Sequence, residues 1–314
     1  MNSAPFLFDA APENASQHRS LVVTLSNIGD VILTTPVLES ISAREPLSTI
    51  DILGDRRSLE VLTGLEYRGD LFVKDKAATT LSQLKLIGEL RRRRYRYIVD
   101  LRTPLLPYFL RADTRVAKRV REARGPHAVE SHFAALDELF GRDTAIPPCR
   151  VAPRVQDQQE AMRLAPIDGL RVVLAPGGNW PGKLWPAAHY RSLVAELRSR
   201  AQQIILLGSQ ADQVISAEVA SGAADILDLC GQTGLLTAAA ILSHASLFIG
   251  NDSGLGHLAA AVGVPTLTLF GPGEPHRYRP WNPHGVVLNA PGERLEDLEV
   301  QAVMATIIEL LART

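Results

Sequence analysis

The stretch GNDSGLGHLAAAVGVPTLTLFGP, residues 250–272, sets Asp252, Ser253, two glycines and His257 where one apolar run gives way to the next. Read as strand, helix and strand, it ends a strand at Asp252 and opens a helix at Ser253-Gly254. Unpaired backbone N–H groups and the positive end of a helix dipole then meet whatever binds at the strand edge, which favours an anion. Glycine lets a phosphate approach the backbone. An ordinary N-cap worth about 1 kcal/mol explains Asp252 or Ser253 equally well, and His257, one turn further on, is either a ligand contact or a structural histidine. A second loop, APGGNWPGKLWP (175–186), also follows a strand. Gly177, Gly178 and Asn179 lead to Lys183, whose ammonium could give a phosphate a point charge. The spacing is not that of a Walker A loop, and alone the segment reads as a proline-braced loop with a surface lysine. Taken with 250–257 on the same sheet, it reads as a phosphate cradle. The third loop, SNIGDVILTTP (26–36), offers only Gly29 where a dinucleotide fold needs GxGxxG, so a nicotinamide dehydrogenase loses support. It also puts Asp30 in a first helical turn, where an acid is favoured by the dipole whether or not it does chemistry.

The elements that must hold these loops alternate. LVVTL (21–25) is an apolar strand buried on both faces and GDVILTTPVLESISA has helical spacing. STIDILG is a strand, RRSLEVLTG a helix, TLSQLKLIGELRRR a helix and YRYIVDL a strand, followed by an Arg-rich, partly helical tract to about residue 140. After the proline-bearing connection TAIPPCRVAPRVQ the alternation restarts with LRVVLAP and runs through QQIILLG, ILDLCG, SLFIGN and PTLTLFG, with helices between. This pattern calls for parallel sheets covered by helices. The expected fold is α/β: two Rossmann-like, doubly wound parallel-sheet domains, 1–150 and 151–314, facing across a cleft, with ligands at the strand C-termini. A final helix, 294–312, is a candidate to pack back on the first domain.

Net charge is -1 over 314 residues, which gives no reason to expect a nucleic-acid partner. The distribution is uneven. Residues 91–124 hold 12 Lys and Arg against 3 Asp and Glu. RRRR at 91–94 reads as a solvated helix face or a contact with anionic headgroups. Cys149 and Cys230 form no CxxC pair and no Cys/His cluster, which argues against a disulfide scaffold and structural zinc and fits a reducing cytoplasm. The N-terminal MNSAPFLFDAAPENASQHRS reads as a short frayed leader rather than a signal peptide, and no run reaches the ~20 apolar residues of a membrane span.

With these loops assembled, the chain resembles glycosyltransferase family 9, the ADP-heptose:lipopolysaccharide heptosyltransferases of GT-B fold. The pieces that carry the resemblance are IGDVILTTPVLESI, YRYIVDLRT, HAVESHFAALDELFG, APGGNWPGKLWPAAHYRSLVAEL, IILLGSQAD and DLCGQTGLLTAAAILSHASLFIGNDSGLGHLAAAVGVPTLTLFGP, in order along nearly the whole chain. The resemblance implies inverting, metal-independent transfer of a heptose from a nucleotide-linked donor, ADP-heptose by preference, to a hydroxyl of the lipopolysaccharide inner core. No DxD triplet occurs that would hold Mg²⁺ under a diphosphate. No cofactor is implied beyond the donor itself. Asp30 is implied as general base and Asp252 near the donor sugar's hydroxyls. Gly178 to Lys183 and the helix start at Ser253-Gly254 would lie along the phosphates, with Asp212 near the ribose and Thr233 by the adenine. An acceptor bearing carboxylates and phosphates gives Arg56, Arg57, Arg102, Arg115, Arg119 and Arg124 a candidate role. The implied place is the cytoplasm, with peripheral contact at the inner face of the membrane. Three alternatives stay open: a GT-B transferase using another nucleotide sugar, a sugar-nucleotide epimerase, and an inactive sugar-nucleotide-binding subunit.

Overall fold

A computed structural model describes residues 18–74, 79–166 and 169–312. The expected leader lies outside these residues except for His18–Ser20, which already belong to a strand. The chain divides into two compact units, Met1–Ala152 and Pro153–Thr314.

The first unit runs β1 (His18–Val23), α1 (Ile28–Ile32), α2 (Thr35–Arg44), β2 (Ser48–Gly54), α3 (Arg56–Leu59), β3 (Arg68–Val73), α4 (Thr80–Arg91), β4 (Arg94–Asp100), β5 (Arg111–Val116), α5 (Ala128–Phe133) and α6 (Asp137–Phe140). Its five strands are parallel in the order β3-β2-β1-β4-β5. The chain moves outward from β1, then returns to the other side of β1 at β4, so the C-terminal ends of β1 and β4 flank a switch point. Helix 29–43, expected as one piece, is two. Thr34 and Thr35 turn their hydroxyls back on the carbonyls of Val31 and Ile32, both at 2.7 Å, and Pro36 lies in the first turn of α2. Two carbonyls left over at the end of α1 are thereby satisfied while proline prevents the first helix from continuing. The tract expected to be Arg-rich and partly helical contains β5, and its neighbour RRRR is only partly a solvated face. Arg93 folds inward over the Phe72 ring and donates to Asp51, which is fully buried, at 2.5 Å and to Asp70 at 2.6 Å; Arg19 reaches the same Asp51 at 2.8 Å. A carboxylate without exposure needs such partners.

The second unit runs α7 (Val155–Leu164), β6 (Arg171–Ala175), α8 (Ala187–Leu197), β7 (Gln203–Leu206), α9 (Gln213–Ala220), β8 (Ile226–Asp228), α10 (Leu235–Ser243), β9 (Leu247–Asn251), α11 (Gly254–Ala261), β10 (Thr266–Phe270), α12 (Pro275–Tyr278), β11 (Gly285–Asn289) and α13 (Val300–Leu311). Six parallel strands lie in the order β11-β10-β9-β6-β7-β8. The switch point falls between β6 and β9, where every residue of both strands is buried. Helix α13 starts six residues later than the expected 294, after a 3₁₀ turn at 295–297, and its buried Val300, Val303, Met304 and Ile307 repeat at helical spacing. They join Trp185, Tyr190 and Leu193 in the core of this second unit.

Candidate functional site

The loops that follow β6 and β9 emerge side by side from adjacent strands, and Asn251 ties them together. Its side chain is fully buried at the end of β9. The amide donates to the carbonyls of Pro176 and Gly177 at 2.9 and 3.1 Å, while its oxygen accepts from the Trp185 N–H at 3.1 Å and the Tyr190 hydroxyl at 3.3 Å. One side chain thus holds both ends of the loop 176–185. Trp185, itself without exposure, anchors the far end by donating its indole N–H to the Leu298 carbonyl at 2.9 Å. The Asp212 carboxylate packs against Gly177: a Cβ there would stand 2.2 Å from the Asp212 Oδ1, so a larger residue would displace that carboxylate. Gly178 is half-buried with Leu184 3.0 Å from where its Cβ would be, and Asn179 is exposed beyond it.

Lys183, which the same loop carries, pairs its ammonium with the Asp252 carboxylate just past β9. Asp252 also lies beside the loop that follows β10, its Oδ2 being 3.7 Å from a Cβ placed on Gly273. Ser253 is the N-cap of α11, in extended backbone, yet its hydroxyl makes no capping bond. The Ser253 Oγ is buried without a hydrogen-bond partner among the described residues. The ordinary capping explanation therefore does not hold for it. Such a hydroxyl costs about 1–3 kcal/mol unless a ligand completes it. Gly254 opens the eight-residue α11, whose first N–H groups lack helical acceptors, and His257 is buried in its second turn. Asp212 accepts the Ser209 N–H and hydroxyl on Oδ2, both at 2.7 Å, closing a capping box before α9. Thr233 stands half-buried in the turn between β8 and α10, at the far edge of the sheet from β9.

In the first unit, Asp30 sits in the first turn of α1, half-buried, and accepts from the Asn27 amide at 2.9 Å. The turn before it is pinned by the buried Thr24 hydroxyl, 2.8 Å from that of Thr34. Across the switch point, Asp100 ends β4 fully buried. It accepts the N–H groups of Arg102 and Thr103 at 2.8 and 2.6 Å, and the Thr103 hydroxyl as well. Burial pushes its carboxyl above the ordinary aspartate range, against these hydrogen bonds. A cavity of about 360 Å³ opens there, lined by Asp100, Leu101, Lys118, Arg119, Val120, Arg121, Ser131, His132 and Ala135.

The six arginines expected at an anionic acceptor do not form one group. Arg119 lines this cavity and pairs with Glu138 at 2.9 Å. Arg56 and Arg57 are exposed on α3, and Arg102 is held at 2.9 Å by Asp55, the N-cap of that helix. Arg115 donates to the carbonyls of Pro107 and Leu110 at 3.1 and 3.0 Å. Arg124 stacks on Phe133 and gives its donors to Asp137, Thr144 and Gly141. Those last two guanidinium groups brace the fold. The cavity's Lys118, Arg121 and His132 went unread in the sequence, as did Asn251, Asp100 and Thr24. A lone amide or carboxylate at the end of an apolar strand was the available signal for Asn251 and Asp100, because a buried polar side chain must have partners to hold.

Among the described residues no group of three or more His, Cys, Asp or Glu gathers in a way that could hold a metal ion, and no helix is long and apolar enough to cross a membrane. A family model for glycosyltransferase family 9 (heptosyltransferase) matches residues 107–307. Lipopolysaccharide heptosyltransferase 3 of Escherichia coli K12 is 28% identical over 290 residues, covering 81% of this chain and 82% of that protein. Among solved structures, E. coli ADP-heptose LPS heptosyltransferase II superposes with a TM-score of 0.80 at 23% identity, over 94% of this chain and 99% of the other. An E. coli heptosyltransferase solved with ADP superposes at 0.78 and 21% identity, over 93% and 99%. Two parallel α/β units with their loops in this order, and a family match across most of the chain, make this protein a glycosyltransferase of family 9, the heptosyltransferases.

Proposed function

We propose that the chain moves a heptose from ADP-heptose to a hydroxyl of an anionic lipopolysaccharide inner-core acceptor, with inversion at the anomeric carbon and without a metal ion. The acceptor oxygen attacks the anomeric carbon from the face opposite the leaving diphosphate, so a base and a phosphate cradle are both needed. Asp30 takes the proton late, once the oxygen has begun to bond to the sugar and has become acidic. Lys183 and the start of α11 at Ser253-Gly254 stabilise the charge that develops on the departing ADP. Asp252 holds Lys183 in position and reaches the donor's hydroxyls, with His257 behind it. Gly177, Gly178 and Asn179 let the diphosphate approach the backbone, Asp212 lies near the ribose, and Thr233 meets the adenine.

On the acceptor side, the cavity with Lys118, Arg119 and Arg121 takes a carboxylate or phosphate of the core, helped by Arg57 and Arg56 at the surface and by Arg102; Arg115 and Arg124 act only through the fold. The enzyme works in the cytoplasm against the inner face of the membrane.

The observation that carries this reading is the buried, partnerless Ser253 hydroxyl at a helix start, beside a lysine-bearing loop that Asn251 ties to the same strand ends. Its test is incubation of the purified enzyme with ADP-heptose and a truncated core acceptor in excess EDTA. The expected result is release of ADP and a mass gain of one heptose residue, with the new linkage inverted relative to the donor. Donor binding with no transfer to any of a panel of core acceptors would overturn it, and faster turnover of another nucleotide sugar would reassign the donor.

A further inference from the structure

Helix α4 is twelve residues long, yet Leu90 is the one side chain it buries. Leu86 and Ile87 lean with Leu90 on the apolar core over β1 and β4. On the opposite side, at i and i+3 spacing, Leu81 and Leu84 stand 63% and 60% exposed, and Lys85, Arg91 and Arg92 are exposed on that same side. The turn 105–109 behaves likewise. Leu106 packs on the same core cluster as α4, while Leu105, Tyr108 and Phe109 are 64%, 68% and 56% exposed. Arg111 is exposed just after it, and the exposed pair Arg94–Asp113 lies along the same edge of the sheet. Among the described residues Glu89 is a further exposed carboxylate on α4. Single exposed apolar side chains need no explanation, but five on two segments that share one core face, ringed by cations, do.

We propose that the outer side of α4 and the turn 105–109 form the surface by which the protein docks on an anionic phospholipid bilayer, an inference that rests on the membrane-side reading given above. The charge selects this occupant. A cationic rim around leucine, tyrosine and phenylalanine matches a negative headgroup layer over acyl chains, with the apolar side chains entering the interface and the lysine and arginines meeting phosphates.

The test is co-sedimentation of the purified full-length chain with vesicles of phosphatidylethanolamine and phosphatidylglycerol, against vesicles of phosphatidylcholine alone. Binding should require the anionic lipid and weaken as salt rises. The variant Leu81→Ser/Leu84→Ser/Tyr108→Ser/Phe109→Ser should lose at least about tenfold in vesicle affinity, and Lys85→Ala/Arg91→Ala/Arg92→Ala should lose much of the preference for anionic lipid. All seven side chains are exposed, and unchanged circular dichroism and melting confirm that the variants fold. Equal binding of wild type and variants, or none by the wild type, overturns the proposal. So does a wild type that is dimeric in solution and becomes monomeric in the serine variant without binding vesicles, because the face then belongs to a second copy. Turnover on a deacylated, water-soluble acceptor separates the two readings: the serine variant should keep it at the wild-type rate. Absence of heptosyl transfer by a wild type that still binds vesicles would remove the functional reading and leave the docking surface standing.

Discussion

The two units share one winding plan and use its switch point differently. In the second, the loops at the strand ends are fastened by neutral, buried groups: the Asn251 amide, the Trp185 indole and the Tyr190 hydroxyl. Helices α10 and α11 behind them are almost wholly buried. Charge there lies in the Lys183–Asp252 pair and Asp212. In the first unit charge is more widely spread, over Asp30, Asp100 and the cavity's Lys118, Arg119 and Arg121, and among its described residues four of six α-helices have six residues or fewer. A nucleotide diphosphate presents the same groups in every reaction, so a preorganised cradle costs no reorganisation when the substrate binds. A branched, anionic glycan varies in outline, and matching it by charge on irregular segments places fewer demands on register. On the function proposed above, the second unit is the one we assign to the donor and the first the one we assign to the acceptor.

The largest effect that could break this division is at Asp30. Asp30→Asn should lower turnover by about 10²–10⁴-fold while ADP affinity, measured by titration calorimetry, stays within about twofold of wild type. A variant with weak ADP binding and normal turnover at saturation would move Asp30 to the donor. Next comes Lys183→Met, which removes a charge from beside the leaving group and should cost about 10²–10³ in turnover. If turnover is kept and only the donor KM rises, the lysine binds ground state and transition state alike.

Asn251→Ala sharpens the comparison from the side of packing. Two carbonyls and the Trp185 backbone N–H lose a buried partner, each unsatisfied group costing about 1–3 kcal/mol, while the Tyr190 hydroxyl keeps the Ala175 carbonyl at 3.3 Å. Part of that loss should appear as a fall in melting temperature and part as a donor KM raised by roughly tenfold, the acceptor KM being unchanged. Arg121→Ala in the first unit should do the reverse, raising the acceptor KM several-fold with donor binding intact. Arg121 is mostly covered and already shares Glu138 with Arg119, and the exposed Lys118 remains, so this effect is the smaller of the two. Steady-state kinetics varying each substrate in turn decides both.

What could be read from the chain follows the same division. Strands buried on both faces announce themselves as apolar runs, so β1, β2, β4, β6, β7, β9 and β10 were legible, and with them the doubly wound plan. Three of the four edge strands were not. RGDLFV, RADTRV and GVVLN are half-exposed and mixed with charge, because an edge strand covers less and must discourage pairing with another chain. The loops expected to form one cradle do follow adjacent strands, β6 and β9, which the alternation of strand and helix made legible; their glycines, lysine and aspartate did not by themselves say more, since caps and braced loops use the same residues. The six arginines expected at an acceptor were not sorted by sequence, since an arginine bracing carbonyls, as Arg115 and Arg124 do, looks the same in a string of letters as one facing a ligand. Only the fold tells which guanidinium groups are already occupied.

The smallest effect tests whether the two units also differ in stability. Cys149 belongs to the first unit and Cys230 to the second, and both are buried. Burial pushes each thiol up to about 12, so at neutral pH neither holds enough thiolate to react while its unit is closed. Alkylation then reports opening, one site for each unit. Four helices of the first unit are shorter than two turns, and its long α4 buries little, so that unit should open at lower denaturant. Iodoacetamide pulses along a urea series, resolved by peptide mass, should label Cys149 before Cys230. A bound nucleotide should raise the Cys230 midpoint more than the Cys149 midpoint, because a ligand stabilises the body that holds it. Coincident labelling with and without ADP would mean that the units melt as one, and the contrast between the second unit and the first would then lie in their strand-end loops alone.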